Sequence, residues 1–224
     1  MSPARAVVLA LSLLVPVVAT GTTASATTTT TTAPKSTPRA TTTTTTSPNA
    51  RSTTTTVPAK PKTRTITYSV ASKGKVSVNL DEFARQVAET LADQRGWSRA
   101  GLVFTRVASG GQFTVWLSVS ARVPSFGKPC DAVYSCRAGR NVVINEDRWK
   151  GATASWTKVG GSLREYRNLV VNHEVGHWLG HGHASCRKGG AKAAVMQQQS
   201  KSLGGCVANA WPLDREIASV RVPK

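Results

Sequence analysis

All four histidines of this 224-residue chain lie within eleven positions, His173-Glu174-Val175-Gly176-His177-Trp178-Leu179-Gly180-His181-Gly182-His183. On a helix, residues four apart differ by about 40° in direction and about 6 Å in height. His173 and His177 therefore project from one face and can share one cation. Glu174 lies about 100° round from His173, off the ligand line but within reach of a water on the metal. Gly180 can adopt the left-handed conformation that ends a helix and turn the chain so that His183 returns as a third nitrogen ligand. Three protein nitrogens leave Zn2+ an open fourth position, the arrangement of a catalytic site. Zinc would bring the pKa of bound water toward about 7. His181 falls between the required positions and is expected to face solvent or substrate rather than to act as a ligand.

The histidines need a helix, and the sequence supplies one. Ser162 with Glu165 three residues on makes a capping box, followed by Leu163, Tyr166, Leu169 and Val170 at helical spacing to about Leu179. Trp178 is expected to pack on its far side. An earlier amphipathic helix starts at Asn79 and carries Leu80, Phe83, Val87 and Leu91 toward Gly96. Ile66, Tyr68 and Val70 alternate as a half-buried strand does. Leu102 to Val107 and Phe113 to Val119, joined through Ser109-Gly110-Gly111, read as a hairpin, and Val142 to Ile144 as a short further strand. Residues 120–141 read as loop. Trp149 and Trp156 fall in a loop before the histidine helix, where they either fill core or border a cleft. Gly160-Gly161 is too short for a phosphate loop. Helices mixed with antiparallel strands predict an α+β domain.

The domain is expected to span residues 66–224. Residues 1–26 resemble an export signal: Arg5, an apolar run from Ala6 to Val18, and Ala24-Ser25-Ala26 as a cleavage site. The run is short for a membrane span. Stable membrane insertion is expected only if the signal stays uncleaved as an anchor. Residues 27–65 are rich in Thr and Pro, contain no aromatic residue and have too little apolar surface to offset the entropy of ordering, which predicts a disordered linker or stalk. The formal charge is +18, and residues 66–224 hold 22 basic against 11 acidic residues. Such a surface favours anionic neighbours, an anionic cell-wall polymer among them. No base-reading motif accompanies the charge, so nucleic acid is not an expected partner. The expected state is a secreted, extracellular monomer, either free or wall-associated.

Cys130, Cys136, Cys186 and Cys206 are the only cysteines. An even count in an exported chain implies two disulfides, and nearness favours Cys130 with Cys136 and Cys186 with Cys206. No C-x-x-C spacing suggests a thiolate metal site.

The pattern His173-Glu174-x-x-His177-x-x-Gly180-x-x-His183 resembles the metzincin zinc-peptidase signature, and Met196 sits downstream where that clan places its Met-turn. The domain as a whole, with His181-Gly-His183-Ala-Ser-Cys186, Val195-Met196-Gln-Gln-Gln and Cys206-Val-Ala-Asn-Ala-Trp211-Pro212, also resembles a family of exported proteins of high-GC Gram-positive bacteria whose function is unknown. The metzincin resemblance implies His173, His177 and His183 as ligands, Glu174 as general base, Met196 as a hydrophobic floor under the metal, and a metzincin-like fold. Some metzincins carry Tyr two residues after the Met as a further zinc contact; Gln198 stands there, so none is expected. The resulting expectation is a secreted zinc metalloendopeptidase acting on a peptide or protein substrate. Two alternatives remain: a non-catalytic, cell-wall-associated binding module with a structural zinc, and an anion-binding adhesion protein that would leave the histidines unexplained.

Overall fold

A computed structural model describes residues 63–223. The expected export signal and nearly all of the Thr-rich segment lie outside the described residues. In order, the elements are β1 (Arg64–Lys73), α1 (Leu80–Ala92), β2 (Leu102–Arg106), β3 (Phe113–Ser118), β4 (Cys136–Ala138) and β5 (Asn141–Asn145), then α2 (Glu146–Gly151), α3 (Ala154–Thr157), α4 (Leu163–Trp178) and α5 (Asp214–Ile217). Short 3-10 turns occupy Trp97–Ala100 and Ser120–Phe126. The architecture is mixed α/β, built on one five-stranded sheet in the order β2-β1-β3-β5-β4.

The expected hairpin is not formed. β2 and β3 both run parallel to β1 and flank it on opposite sides, β2 along Arg64 to Tyr68 and β3 along Tyr68 to Lys73. Val107 N donates to Tyr68 O on one side and Gln112 N donates to Thr67 O on the other, so the intervening residues carry the chain across β1. Gly111 makes that crossing possible, because a Cβ there would come within 2.6 Å of Tyr68 Cα and 2.7 Å of Ser69 N. The Ser-Gly-Gly stretch is thus a close backbone approach and not a hairpin turn.

β3 pairs parallel with β5, and β4 forms an antiparallel edge on β5. β4 lies inside the stretch expected to be loop. Its three residues are too few to show a strand period. Likewise Trp149 and Trp156 lie in the short helices α2 and α3, and both are fully buried in the main core. Trp178 is buried against Phe113, with ring centroids 4.7 Å apart.

The core fills one face of the sheet. Ile66, Tyr68, Phe113, Val115, Leu117, Val142 and Ile144 pack against Phe83, Val87 and Leu91 of α1 and Leu169, Val170 and Val175 of α4. Asn79 caps α1 by accepting from Glu82 N at 2.9 Å. Ser162 Oγ accepts from Glu165 N at 3.2 Å, while the Glu165 carboxylate accepts from Ser162 N, the expected capping box. Each such cap stabilises a helix by about 1 kcal/mol. Helix α4 is buried on most sides, polar Asn168, Asn172 and Glu174 included, because it lies between the sheet, α1 and the segment around Met196, which explains its weak amphipathic pattern. The opposite face of the sheet carries a small cluster of Val123, Cys136 and Val143.

Both disulfides pair as expected, Cys130–Cys136 and Cys186–Cys206. They fit an oxidising compartment. Among the described residues no helix is long and apolar enough to cross a membrane.

Candidate metal centre

Helix α4 presents His173 and His177 on one side, then stops at the residue the sequence nominates. Gly180 has φ +90°. Gly180 N donates to His177 O at 3.2 Å and His181 N to Gly176 O at 3.0 Å, the paired bonds of a Schellman ending. The chain reverses there, and His183 comes back to the other two histidines. One nitrogen from each of His173, His177 and His183 lies within 4.8 Å of the others.

The ring orientations suit a cation. His173 Nδ1 lies 2.8 Å from Val195 O, and His177 Nδ1 lies 2.8 Å from His181 O. A carbonyl can only accept, so both Nδ1 atoms carry the proton and both Nε2 atoms keep a lone pair for a ligand bond. His177 Nε2 and His183 Nε2 are 3.1 Å apart. Two nitrogens bound tetrahedrally to zinc at about 2.0–2.1 Å stand roughly 3.3–3.4 Å apart, so this pair already has ligand spacing. Burial holds His173 down to about 3 and His177 down to about 4, and it also lowers His183. All three are neutral at pH 7, the form that ligates.

Glu174 faces the same cleft. It is 5 % exposed, and burial lifts its carboxyl to about 8, against a smaller opposing pull from Arg137. Its side chain makes no hydrogen bond to any described residue, which leaves it free for a ligand or substrate atom. The cleft, about 370 Å³, runs between α4, the segment 128–139 and the segment 197–201.

Met196 is buried in a turn in which Gln197 N donates to Ala194 O. It does not line the cleft; its side chain packs against α4 at Gly176, where an added Cβ would fall 2.3 Å from Met196 Sδ. The backbone around it is a hub. Val195 O holds His173, and Met196 O accepts from Ala184 N, next to His183. Glu216 on α5, 6 % exposed, accepts from Val195 N, Met196 N and Leu213 N at 2.9–3.1 Å. Glu216 carries no signal in the sequence, because nothing in its spacing ties an acid some twenty residues downstream to the turn at Met196. Arg137 escaped notice too, as one cation among many.

His181 departs from expectation. Its ring stacks on Trp97 with centroids 5.0 Å apart, and its Nε2 is buried without a partner, so it packs inward. It stays outside the ligand group.

No curated protein matches the chain. A family model described as "Protein of unknown function (DUF3152)" matches residues 34–219, and the chain belongs to that family.

Proposed function

We propose that this chain is an exported zinc-dependent metalloendopeptidase of metzincin type. The observation that carries the reading is a buried carboxylate without a structural partner, Glu174, next to three neutral histidines whose nitrogens converge. Support also comes from the helix ending at Gly180 and from the turn at Met196, both of which match the resemblance.

His173, His177 and His183 would hold the ion. Zinc, when bound, supplies a Lewis acid that polarises a carbonyl and acidifies water near neutral pH. Val195 O and His181 O keep the two helical histidines in the ligating tautomer. Glu174 accepts a proton at its carboxylate and returns it to the departing amine. Its burial lifts the carboxyl to about 8 and a nearby dication lowers it again, so the group can exchange a proton around neutrality. A structural zinc site, as in a binding module, has no use for an unpartnered buried acid.

The test is Glu174→Gln in the exported chain, assayed on a mixed peptide library with and without chelator. Zinc content and thermal unfolding should match the parent, and cleavage should fall at least about a hundredfold, the lower range of general-base assistance. A parent that holds zinc yet cleaves nothing in the library would favour the binding module instead.

A further inference from the structure

The cleft has a charge asymmetry that hydrolysis alone does not require. Strand alternation sets it up. β4 pairs Arg137 with Val142 and Cys136 with Val143. Val142 belongs to the core on the α4 side and Val143 to the cluster on the opposite face, so Arg137 projects to the α4 side. There it lines the cleft beside Glu174 and His177. Its Nε is buried without a hydrogen-bond partner, and its guanidinium makes no ion pair among the described residues.

Lys128 and Lys201 line the same cleft from its two walls. Lys201 Nζ lies 5.2 Å from the ring centre of Tyr134, which belongs to the opposite wall, so the ammonium is held at the mouth. The only other acid among the lining residues besides Glu174 is Asp131. Asp131 Oδ1 is turned onto its own loop, accepting from Val133 N at 2.7 Å and Tyr134 N at 2.9 Å. An unpaired guanidinium next to a cation site repels the cation, an arrangement that makes sense when an anionic group from outside completes it.

We propose that Arg137, flanked by Lys128 and Lys201, selects a peptide substrate with a carboxylate side chain close to the scissile bond. The inference rests on the hydrolase reading of the same cleft and adds the substrate class. A carboxylate would take the guanidinium as a fork and leave the two ammonium groups to draw in acidic peptides over longer range.

The probe is a set of fluorescein-labelled octapeptides identical except for Glu, Gln or Lys at each central position. Binding is read by anisotropy on Glu174→Gln, and cleavage by mass spectrometry on the parent. The Glu peptide should bind and turn over roughly ten- to a hundredfold better than its Gln counterpart, the range for a charge-assisted pair, with the ratio shrinking as salt rises. Arg137→Gln should erase the Glu-over-Gln ratio and act on KM more than on kcat, and Arg137→Lys should retain part of it. Lys158→Gln, a charge removed outside the cleft lining, should leave the ratio intact. If Arg137→Gln lowers kcat equally on Glu and Gln peptides, Arg137 serves the reaction itself and the proposal falls. Equal binding of Glu and Gln peptides by Glu174→Gln overturns it too. Selective, Arg137-dependent binding of Glu peptides without any cleavage would sink the hydrolase reading and leave the recognition standing.

Discussion

Replacing Glu216 by Gln isolates how the fold holds its histidines. The carboxylate accepts three backbone N–H bonds: Met196 on Oε1, and Val195 and Leu213 on Oε2. An amide keeps one accepting oxygen. If that oxygen stays with Val195 and Leu213, the new NH2 faces Met196 N–H, so one charge-assisted bond is lost and two donors confront each other. A hydrogen bond to a charged acceptor is worth about 1.5–3 kcal/mol, and an orphaned buried donor costs a similar amount, so a net loss of about 2–4 kcal/mol is expected. For a domain of this size, that lowers Tm by roughly 4–16 °C. The displaced turn also carries Val195 O, the partner of His173 Nδ1, and the loss of such an outer partner weakens metal binding by about 10- to 100-fold. Thermal unfolding of the metal-free chain and zinc competition against a chromophoric chelator measure the two effects separately. Glu146→Gln is the control: Glu146 is equally buried and accepts from Ser77 N, Ser77 Oγ and Val78 N, all on Oε1, and none of these groups holds a cleft histidine. One amide oxygen can keep all three of these bonds, so this variant should lose less stability than Glu216→Gln and keep its zinc affinity. Equal zinc affinity in parent and Glu216→Gln, or equal weakening in both variants, would refute the positioning argument.

Three more expectations follow from the same geometry. His183→Ala should lose most bound zinc because three ligands become two, whereas His181→Ala should keep it, since its carbonyl still holds His177; elemental analysis giving equal loss refutes the ligand set. At pH 7 zinc uptake should release about one proton, because the metal-free fold keeps Glu174 protonated up to about 8 while His173 and His177 are already neutral, and a dication drives that carboxyl proton off. Calorimetry in buffers of different ionisation enthalpy reads the release, and an undiminished release in Glu174→Gln would contradict the assignment. Gly176→Ala should lower stability by about 1–2 kcal/mol in thermal unfolding despite better helix propensity, because its Cβ meets Met196 Sδ and Trp97 Cζ2; an unchanged Tm means that pocket is loose.

What the sequence made legible was local. The histidine spacing, the Ser162–Glu165 box, the cap at Asn79 and the two short-range cysteine pairs each depend on residues close along the chain, and the structure contains them. The hairpin reading failed for a physical reason. Ser109-Gly110-Gly111 carries turn residues whether the chain folds back or passes over a neighbour, and only the contact of Gly111 with Tyr68, forty-odd residues earlier, decides between them. Glu216 was invisible because it is brought to Val195 and Met196 by α5, a helix of four residues with no period to read. Arg137 was invisible because β4 is too short to reveal which face it presents.

The placement of β1 has a mechanical consequence. The first strand of the domain sits inside the sheet, bonded to β2 along its first half and to β3 along its second. A pull transmitted through the residues before Arg64 therefore loads an interior strand along its own axis. The two ladders follow one another along the strand, so sliding β1 along its axis strains the bonds to β2 and the bonds to β3. The Thr-rich segment thus joins the domain at a point suited to bearing tension.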